Sequence, residues 1–500
     1  MSGFAVIRAD ATPSLGTGHI ARCLRFADAL GVQGWRCAFA VSAETPETAP
    51  RLSDSGYEVF IIDACDEPAA IARHWPDGCD LLLVDHYERE APFESACRAW
   101  AGRIGVIEDL AQRSHDCDFM IDPGVINSNS VRREDLLYLG GPAFAALHPA
   151  FREARLNAAR RRTDGEVRRI MISFGGGDVD ILTASVATSI AEALPDCAID
   201  AVLGIAGPDR SESLSRLKGI GDRISIYSGC GPDRMAAMMA RADVGVGAAG
   251  GTSWERCCLG LPSVAALIAD NQKGNADLLA ATGAAKIVDL TGLSSDNVDA
   301  VSGGVEKLAS DAEGRMDMAA AAARICDGLG AERLAAIVDT DAVTPDGRRI
   351  WMRPAIAGDI ETVYDWQCEP GARTWSHNPE PPGPAVHRHW MEARLDDPAC
   401  IFSIVMCGDA PVGTIRLDRR KNGYLVSILT GRAFHRMGIG SAALAMARRL
   451  VPESDLIAEI LPGNAASVGL FAKAGYRQQD EITYVSRATS CRPVREDVPA

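Results

Sequence analysis

A histidine follows two closely spaced glycines near the start of the chain, in the segment Gly16-Thr17-Gly18-His19. Glycines let the backbone turn tightly and approach a ligand, and free N–H groups at the start of a following helix attract negative charge. The positive end of the helix dipole disfavours the charged form of an imidazole placed there. His19 is therefore predicted to accept a proton near pH 7, as a general base. Taken alone, the segment also fits an ordinary turn with a surface histidine.

A second cluster combines glycines, hydroxyls, a carboxylate and two amides. Its members are Gly250, Gly251, Thr252, Ser253 and Glu255 and, after the next strand candidate, Asn271 and Gln272. Glycines free the backbone and hydroxyls donate hydrogen bonds at a helix start, which suits a diphosphate. Glu255, one turn further on, is expected to accept hydrogen bonds from ribose hydroxyls. The simpler alternative is a glycine-rich turn followed by an ordinary helix.

A third cluster lies near the end of the chain. It comprises Arg436, Met437, Gly438, Ile439, Gly440 and Ser441, which open a helix, and then Asn464 and Ser467 one helical turn apart. Successive backbone N–H groups in such a loop can hold a pyrophosphate. Glu459 ends the strand candidate between the two segments.

Short apolar segments of strand length must position these residues. After the opening run from Phe4 to Ala9, the candidates in the first part are residues 38–41, 59–62, 81–84 and 104–107. Polar residues follow these strands directly, among them Asp85-His86-Tyr87 and Glu108-Asp109. Ligands bind at the carboxyl ends of parallel strands, so we expect these side chains on one edge of a sheet.

A second series repeats this arrangement, and a third region differs from both. Strand candidates at residues 169–173, 199–203, 224–226, 244–246 and 264–268 predict another doubly wound half. We therefore expect halves at residues 1–160 and 161–338, a polar linker at 339–349, an α/β domain with a mixed sheet at 350–488 and a tail at 489–500. A pocket between the two halves is where a small molecule is expected to bind.

Composition excludes several classes of function. The 500 residues carry a formal net charge of −16, which argues against nucleic acids and anionic membrane surfaces as partners. No run of 18 apolar residues and no charged-then-apolar leader is present, so a cytoplasmic protein is expected. The 15 cysteines form no Cys-x-x-Cys pair and the nine histidines show no ligand spacing, so no metal is expected.

The motifs of residues 4–338 together resemble one enzyme family. They are Gly16 to Arg22, Asp85 to Tyr87, Ser173 to Gly176, Gly250 to Arg256 and Ala269 to Gln272. In this order they are similar to the UDP-2,4-diacetamido-2,4,6-trideoxy-β-L-altropyranose hydrolases of pseudaminic acid synthesis, which are related to GT-B glycosyltransferases.

The resemblance implies metal-independent hydrolysis of a nucleotide sugar, with a GT-B-like pair of doubly wound domains. His19 would activate water, with Asp10 and Tyr87 lining the sugar site. The remaining residues implied to bind the UDP-sugar are Gly16, Gly18, Arg22, Gly250, Gly251, Thr252, Ser253, Glu255, Asn271 and Gln272. One departure is Glu108-Asp109, where the family more often shows two aspartates.

Residues 350–487 resemble the GNAT N-acetyltransferases, which use acetyl-coenzyme A as donor. The resemblance implies that residues 436–441 bind the coenzyme pyrophosphate, that Asn464 and Ser467 support the pantetheine, and that Glu459 deprotonates the amine. Two positions depart from the family: His435 replaces an arginine or glutamine, and Phe471 replaces a tyrosine that protonates the thiolate. A domain that has lost activity is the alternative.

Several aromatic and basic side chains precede the second strand of this domain: Arg373, Trp375, His377, His387, His389 and Trp390. They either frame the acceptor sugar and its nucleotide or form an aromatic core with surface histidines.

The two resemblances together predict a bifunctional enzyme of pseudaminic acid synthesis. It would acetylate the 4-amino group of a UDP-4-amino sugar and hydrolyse the diacetamido product to UDP and the free sugar. A glycosyltransferase with an appended acyltransferase domain is the first alternative, and a nucleotide-sugar-binding scaffold without turnover is the second.

Overall fold

The computed structural model describes residues 3–12, 15–63, 65–110, 113–124, 136–161, 165–175, 179–204, 210–292 and 294–489. Gly176 of the third sequence motif and residues 490–500 of the expected tail lie outside this set. The chain divides into two compact units, the second of which begins at Glu332 and also takes the short segment Ala29–Gly34.

The first half of the first unit is built on a sheet of seven parallel strands. The strands are β1 (Phe4–Ala9), β2 (Arg36–Val41), β3 (Glu58–Ile61), β4 (Leu81–Asp85), β5 (Ile104–Ile107), β6 (Phe119–Asp122) and β7 (Leu137–Gly140). The helices are α1 (Gly18–Val32), α2 (Thr45–Thr48), α3 (Pro50–Ser53), α4 (Glu67–His74) and α5 (Ala91–Cys97), with a 3₁₀ turn at Pro142–Phe144.

The order of these strands creates a switch point next to β1. The sheet runs β3-β2-β1-β4-β5-β6-β7, so the chain leaves β1 in one direction and later returns to its other side as β4. Every pairing is parallel, and β4 and β5 are buried along their whole length. In such sheets the crevice between the two central strands is where ligands bind.

The second half repeats this topology with six parallel strands. They are β8 (Arg169–Ser173), β9 (Ala198–Val202), β10 (Ile224–Tyr227), β11 (Val244–Ala248), β12 (Ser263–Leu267) and β13 (Lys286–Asp289), in the order β10-β9-β8-β11-β12-β13. The helices are α6 (Pro149–Arg161), α7 (Asp180–Ala193), α8 (Arg210–Lys218), α9 (Pro232–Arg241), α10 (Thr252–Cys258), α11 (Lys273–Ala281), α12 (Ser295–Ser310) and α13 (Ala312–Ile325). The next helix, α14 (Gly330–Thr340), begins at the end of the first unit and lies mostly in the second. A 3₁₀ turn lies at Asp270–Gln272.

Helix α6 belongs to the second half although the boundary suggested by the sequence, between residues 160 and 161, falls near its end. Phe151 and Ala158 are completely buried in the same apolar cluster as Trp254. Arg155 donates hydrogen bonds to the carbonyl oxygens of Cys258 and Cys326, at 2.6 and 3.0 Å. The border between the halves therefore lies before Pro149.

The second unit contains a mixed sheet of seven strands. The strands are β14 (Ile350–Pro354), β15 (Cys400–Cys407), β16 (Ala410–Arg420), β17 (Gly423–Thr430), β18 (Leu456–Glu459), β19 (Arg477–Gln478) and β20 (Thr483–Ser486), in the order β14-β15-β16-β17-β18-β20-β19. The helices are α15 (Ile360–Cys368), α16 (Pro384–Leu395), α17 (Ile439–Leu450) and α18 (Ala465–Lys473), with 3₁₀ turns at Ala357–Asp359 and Arg432–Phe434.

One junction in this sheet is parallel and incomplete. Strands β17 and β18 pair only at Tyr424 with Leu456 and at Leu425 with Ile457, whereas all other pairings are antiparallel. Beyond these two pairs the strands no longer share hydrogen bonds, which leaves a wedge between their carboxyl ends. The predicted class, two doubly wound parallel sheets followed by a mixed sheet, is confirmed.

Candidate functional site

Two histidine–aspartate pairs cross the switch point between β1 and β4. Asp85, the last residue of β4, accepts a hydrogen bond from Nδ1 of His19 in the first turn of α1, at 2.6 Å. Asp10, which follows β1, accepts one from Nε2 of His86, which follows β4, at 2.9 Å. Each strand therefore supplies the aspartate for a histidine that follows the other strand.

The two histidines differ in what their second ring nitrogen can do. Nδ1 of His86 accepts the backbone N–H of Glu88 at 2.9 Å, so both nitrogens of His86 are used. No described residue hydrogen-bonds Nε2 of His19, and the side chain is 6% exposed. With its Nδ1 proton held by Asp85, His19 presents Nε2 as a proton acceptor, the arrangement that a general base needs.

Asp85 and Arg22 hold this histidine in place. The guanidinium of Arg22 donates to both oxygens of Asp85, from Nε at 2.6 Å and from Nη2 at 2.5 Å. Although burial alone raises it, the pKa of Asp85 lies well below its usual range because of Arg22 and His19. Arg22 also reaches Asp109 from Nη1, at 2.7 and 3.0 Å. The sequence assigned Arg22 to the substrate, and the structure engages it with two carboxylates.

Asp10 is saturated with donors from the protein. One oxygen accepts from Nη1 of Arg8 and from the backbone N–H of Ser42, at 2.6 and 2.7 Å. The other accepts from Nη2 of Arg8 and from His86, both at 2.9 Å. A carboxylate has about four acceptor positions, so Asp10 fixes the local geometry and keeps none for a sugar. The sequence expected Asp10 to line the sugar site.

The ring of Tyr87 packs against the imidazole ring of His19. The rings are 4.7 Å apart and nearly perpendicular, and the Tyr87 hydroxyl lies 3.4 Å from a carboxylate oxygen of Asp109. Burial, together with Asp109, raises the pKa of Tyr87 to about 12. Its hydroxyl therefore stays protonated at neutral pH and can donate a hydrogen bond.

The glycines before His19 leave room beside the helix start. Gly16 has a φ of +76°, a conformation that favours glycine, and no described atom lies within 4 Å of the Cβ position of Gly16 or Gly18. The N–H of Gly16 donates to the carbonyl of Thr12 at 2.8 Å, which closes the turn.

The second predicted cluster lies after β11, at the switch point of the second sheet. Gly251 has no described atom within 4 Å of its Cβ position, so the backbone there is accessible. Ser253 is buried, and its hydroxyl donates to the carbonyl of Ala248 at 3.1 Å and accepts from Arg256 at 2.9 Å. Thr252, whose hydroxyl is 3.4 Å from Arg256, is partly exposed at the helix start. Of the two hydroxyls, Thr252 is the accessible one.

Glu255 is half-buried, and no described residue hydrogen-bonds its carboxylate. Burial raises the pKa of Glu255 to about 7, and the nearby charge of Arg256 opposes this only in part. Arg256 is committed to Ser253 and Ala248. The carboxylate of Glu255 can therefore still accept hydrogen bonds from a ligand.

The two amides take different positions in the 3₁₀ turn after β12. Gln272 accepts the N–H of Ile268 at 3.3 Å, and its amide nitrogen is 3.5 Å from the Cβ position of Gly250. Asn271 is exposed. Gln272 thus contacts the glycine cluster, while Asn271 points to solvent next to it.

The loop before α17 has the backbone geometry that holds anions. Arg436 and Gly438 adopt left-handed conformations, with φ of +65° and +85°, and α17 begins at the next residue, Ile439. Ile439 is buried, whereas Ser441 is exposed. Left-handed residues before a helix turn successive N–H groups toward one side, as in phosphate-binding loops. Met437 is half-buried in this loop, and Gly440 packs against the side chain of Leu470.

Asn464 and Ser467 meet at the start of α18. The side-chain oxygen of Asn464 accepts the backbone N–H of Ser467 at 3.1 Å, which is the N-cap of this helix. Their expected contact with pantetheine stays a prediction. Phe471, one turn further on, is 4% exposed and packs edge-on against Tyr476 at 4.9 Å.

Glu459 ends β18 at the mouth of the wedge. Its side chain is 44% exposed and lies 3.3 Å from Nε2 of His377. The indole of Trp375, itself 48% exposed, lies 2.8 Å from the Cβ position of Gly463. Both of these members of the predicted aromatic set are therefore exposed, and His377 lies next to Glu459.

Other members of that set belong to the core. His387 is 1% exposed and shares a hydrogen bond of 3.0 Å with the carbonyl of Ile360. Trp390 packs against Phe402, and the guanidinium of Arg416 lies 5.0 Å from the Trp390 ring. His387 and Trp390 therefore fit the aromatic-core alternative, while a role for Trp375 and His377 in framing the acceptor stays a prediction.

Sequence reasoning placed Asp85, His86 and Asp109 at the sheet edge without giving them a task. Their position directly after strands was the available signal. His115, whose two ring nitrogens both contact carboxylates, had no signal in the sequence.

In the described ranges no group of three or more histidine, cysteine or acidic side chains could hold a metal ion. None of the helices described is long and apolar enough to cross a membrane.

Comparisons with known proteins divide the chain in the same way as the fold. Residues 349–477 match the acetyltransferase (GNAT) domain model. The spore coat polysaccharide biosynthesis protein SpsG of Bacillus subtilis is 25% identical over 287 residues, which cover 56% of this chain and 81% of SpsG. The uncharacterized protein MJ1062 of Methanocaldococcus jannaschii is 23% identical over 264 residues, 51% of this chain. The match spans 54% of MJ1062, about half of its length.

Among solved structures, MurG of Acinetobacter baumannii shares the fold of the first unit. The match covers 67% of this chain and 99% of MurG, with a TM-score of 0.51 and 15% sequence identity. This likeness establishes the fold alone. The chain thus combines a GT-B-like pair of doubly wound halves with a C-terminal GNAT acetyltransferase domain.

Proposed function

We propose that the first unit hydrolyses a UDP-sugar to UDP and the free sugar, with His19 as the base that activates water. The observation that carries this proposal is the His19–Asp85 pair, in which Nδ1 is held by a buried carboxylate and Nε2 has no partner among the described residues. Nε2 takes a proton from water, the water oxygen bonds to the anomeric carbon, and the bond from that carbon to UDP breaks. Asp85 stabilises the imidazolium that forms.

The neighbouring groups suit the remaining parts of such a substrate. The protonated hydroxyl of Tyr87 donates to the sugar beside His19. The open backbone at Gly251 and the hydroxyl of Thr252 bind the diphosphate, and the unpartnered carboxylate of Glu255 accepts from the ribose hydroxyls. Asp10 and Arg22 act as positioning residues.

The C-terminal domain, we propose, transfers an acetyl group from acetyl-coenzyme A to an amine. Residues 436–441 hold the pyrophosphate, and the unpaired backbone in the wedge between β17 and β18 receives the pantetheine. Glu459 takes the proton as the amine nitrogen bonds to the acetyl carbon and the thiolate leaves. With Phe471 buried and without a hydroxyl, the thiolate takes its proton from water.

The substrate we propose for the domain is the 4-amino group of UDP-4-amino-4,6-dideoxy-N-acetyl-β-L-altrosamine. The acetylated product, UDP-2,4-diacetamido-2,4,6-trideoxy-β-L-altropyranose, is then the substrate of the first unit. This order follows from the resemblance of both parts to consecutive steps of pseudaminic acid synthesis. SpsG, which aligns with half of the chain, is by its name a polysaccharide biosynthesis protein.

A glycosyltransferase is the second candidate, because the fold of MurG and the same base and diphosphate site suit an acceptor hydroxyl as well as water. The test incubates the full chain with the UDP-4-amino sugar, with and without acetyl-coenzyme A, and identifies products by mass. Acetylation followed by UDP and free sugar supports the proposal. UDP release that requires an added acceptor sugar contradicts hydrolysis. A scaffold without turnover is contradicted if His19→Ala abolishes UDP release and keeps UDP affinity.

A further inference from the structure

His115 lies between two buried carboxylates, outside the two histidine–aspartate pairs. Its Nδ1 is 2.6 Å from Glu94 and its Nε2 is 2.7 Å from Glu108, and all three side chains are at most 2% exposed. A carboxylate only accepts hydrogen bonds, so both ring nitrogens donate and the imidazole is positively charged. Although burial alone lowers it, the hydrogen bonds with Glu108 and Glu94 raise the pKa of His115 to about 9.

Arg113 balances the charge of this cluster and connects it to the candidate site. Its Nη2 lies 2.7 Å from the same oxygen of Glu108, so two cations face two carboxylates. Its Nη1 donates to the backbone carbonyl of His86 at 2.7 Å, and its guanidinium lies 5.9 Å from the ring of Tyr87. A buried polar cluster with balanced charge makes its surroundings rigid, and here it restrains the backbone at His86 and Tyr87.

A second connection runs through the residue after Glu108. Asp109 binds Arg22 at 2.7 Å, Arg22 binds Asp85 at 2.5 Å, and Asp85 binds Nδ1 of His19 at 2.6 Å. A shift of the turn at Glu108 therefore moves Asp109 and, through two charged hydrogen bonds, the carboxylate that orients His19.

We propose that His115 is a positioning residue, which as an imidazolium between Glu94 and Glu108 fixes the Asp109–Arg22–Asp85 chain that orients His19. The proposal extends the role of His19 in the proposed hydrolysis and rests on it for its effect on turnover. Its structural part, the coupling of His115 to the His19 ring, can be measured without substrate.

The experiment uses the full chain with isotope-labelled histidine and follows the ring resonances of His115 and His19 by NMR between pH 6 and 10. Signals are assigned with His115→Gln and His19→Ala. We expect the His115 ring to titrate near pH 9, and the His19 resonances to shift with the same midpoint. His115→Gln is expected to displace the His19 resonances already at pH 7. His74→Gln is the matched control, because His74 is 39% exposed and contacts Glu58 at 3.4 Å.

Turnover gives a second measurement. In His115→Gln the kcat of UDP release is expected to fall about 10- to 100-fold with a smaller change in KM, because a misplacement near 1 Å costs about that much. If His115→Gln does not fold, the titration of the wild-type protein still shows whether the His19 resonances follow the protonation of His115. A His115 midpoint near 6.5, or His19 resonances indifferent to the state of His115, would overturn the proposal. A wild type that releases no UDP refutes the proposed hydrolysis alone, because the NMR coupling does not depend on it.

Discussion

Replacing Asp85 with asparagine is the sharpest test of the candidate base. Asp85→Asn keeps the size of the side chain but removes its charge and turns one acceptor oxygen into a donor. The native carboxylate accepts from Nδ1 of His19, from Arg22 at two atoms and from Sγ of Cys23. An amide in the same place sets its NH₂ group against one of these donors, and where that donor is Nδ1 of His19 the ring changes its tautomer.

The size of the effect follows from this geometry. Without Asp85, the tautomer with Nε2 free loses its support, and the imidazolium formed during catalysis loses its counter-charge. The corresponding change in a serine protease lowers kcat about 10,000-fold, which corresponds to about 5.4 kcal/mol. Breaking a buried ion pair costs about 3 to 5 kcal/mol of folding free energy. We expect the lower end, about 3 kcal/mol, because Arg22 keeps Asp109.

Asp10→Asn is the matched control, since it makes the same change in the other crossed pair. His86 uses both ring nitrogens within the protein, so this variant is expected to lose stability and at most about tenfold in kcat. The assay measures UDP release under saturating substrate, with thermal unfolding of each variant in parallel. Equal losses of kcat in the two variants, or a folded Asp85→Asn protein with wild-type kcat, would refute the assignment of His19 as base.

Glu255 is expected to make UDP affinity depend on pH: ribose hydroxyls bind the carboxylate form, so affinity measured by calorimetry should rise about tenfold from pH 6 to pH 8 around the free-state pKa of about 7. Glu255→Gln should remove the part of this dependence that the nucleotide's own phosphates do not cause. Ser253→Ala should cost about 1 to 2 kcal/mol of stability in chemical denaturation, because its hydroxyl is buried against Ala248, and should leave UDP affinity within about twofold. Glu459→Gln should lower the rate of thiol release from acetyl-coenzyme A about 100- to 1,000-fold with the amino sugar present; an unchanged rate would mean that another group accepts the proton.

Apolar runs flanked by polar residues predicted the central strands well. In a parallel sheet these strands are buried on both faces, so they appear as continuous hydrophobic segments. Strands β6, β7 and β13, of four residues each, were missed. The boundary predicted between residues 160 and 161 falls inside helix α6, which carries four arginines. Its few apolar positions, such as Phe151, are nevertheless buried.

The sequence predicted which residues belong to the candidate site better than it predicted which of them hydrogen-bond to each other. His19 and Tyr87 were identified by type and context, and the structure brings them together. Which aspartate holds which histidine depends on the strand order, since only the adjacency of β1 and β4 brings Asp85 next to His19. Short sequence patterns do not encode that adjacency. Ser253 and Asn464 likewise looked like ligand-binding groups, and their local hydrogen bonds became visible only with the backbone in place.

The crossed pairs also have a consequence for how the molecule acquires its site during folding. The partners are separated by 66 and 76 positions in the chain, so neither pair can close before β4 adds to β1. A chain that has emerged only as far as β3 contains Asp10 and His19 but neither of their partners. Contacts of such long range form late because loop-closure entropy opposes them. Formation of the His19–Asp85 hydrogen bond therefore reports the moment at which β4 pairs with β1, and it can be followed in refolding kinetics.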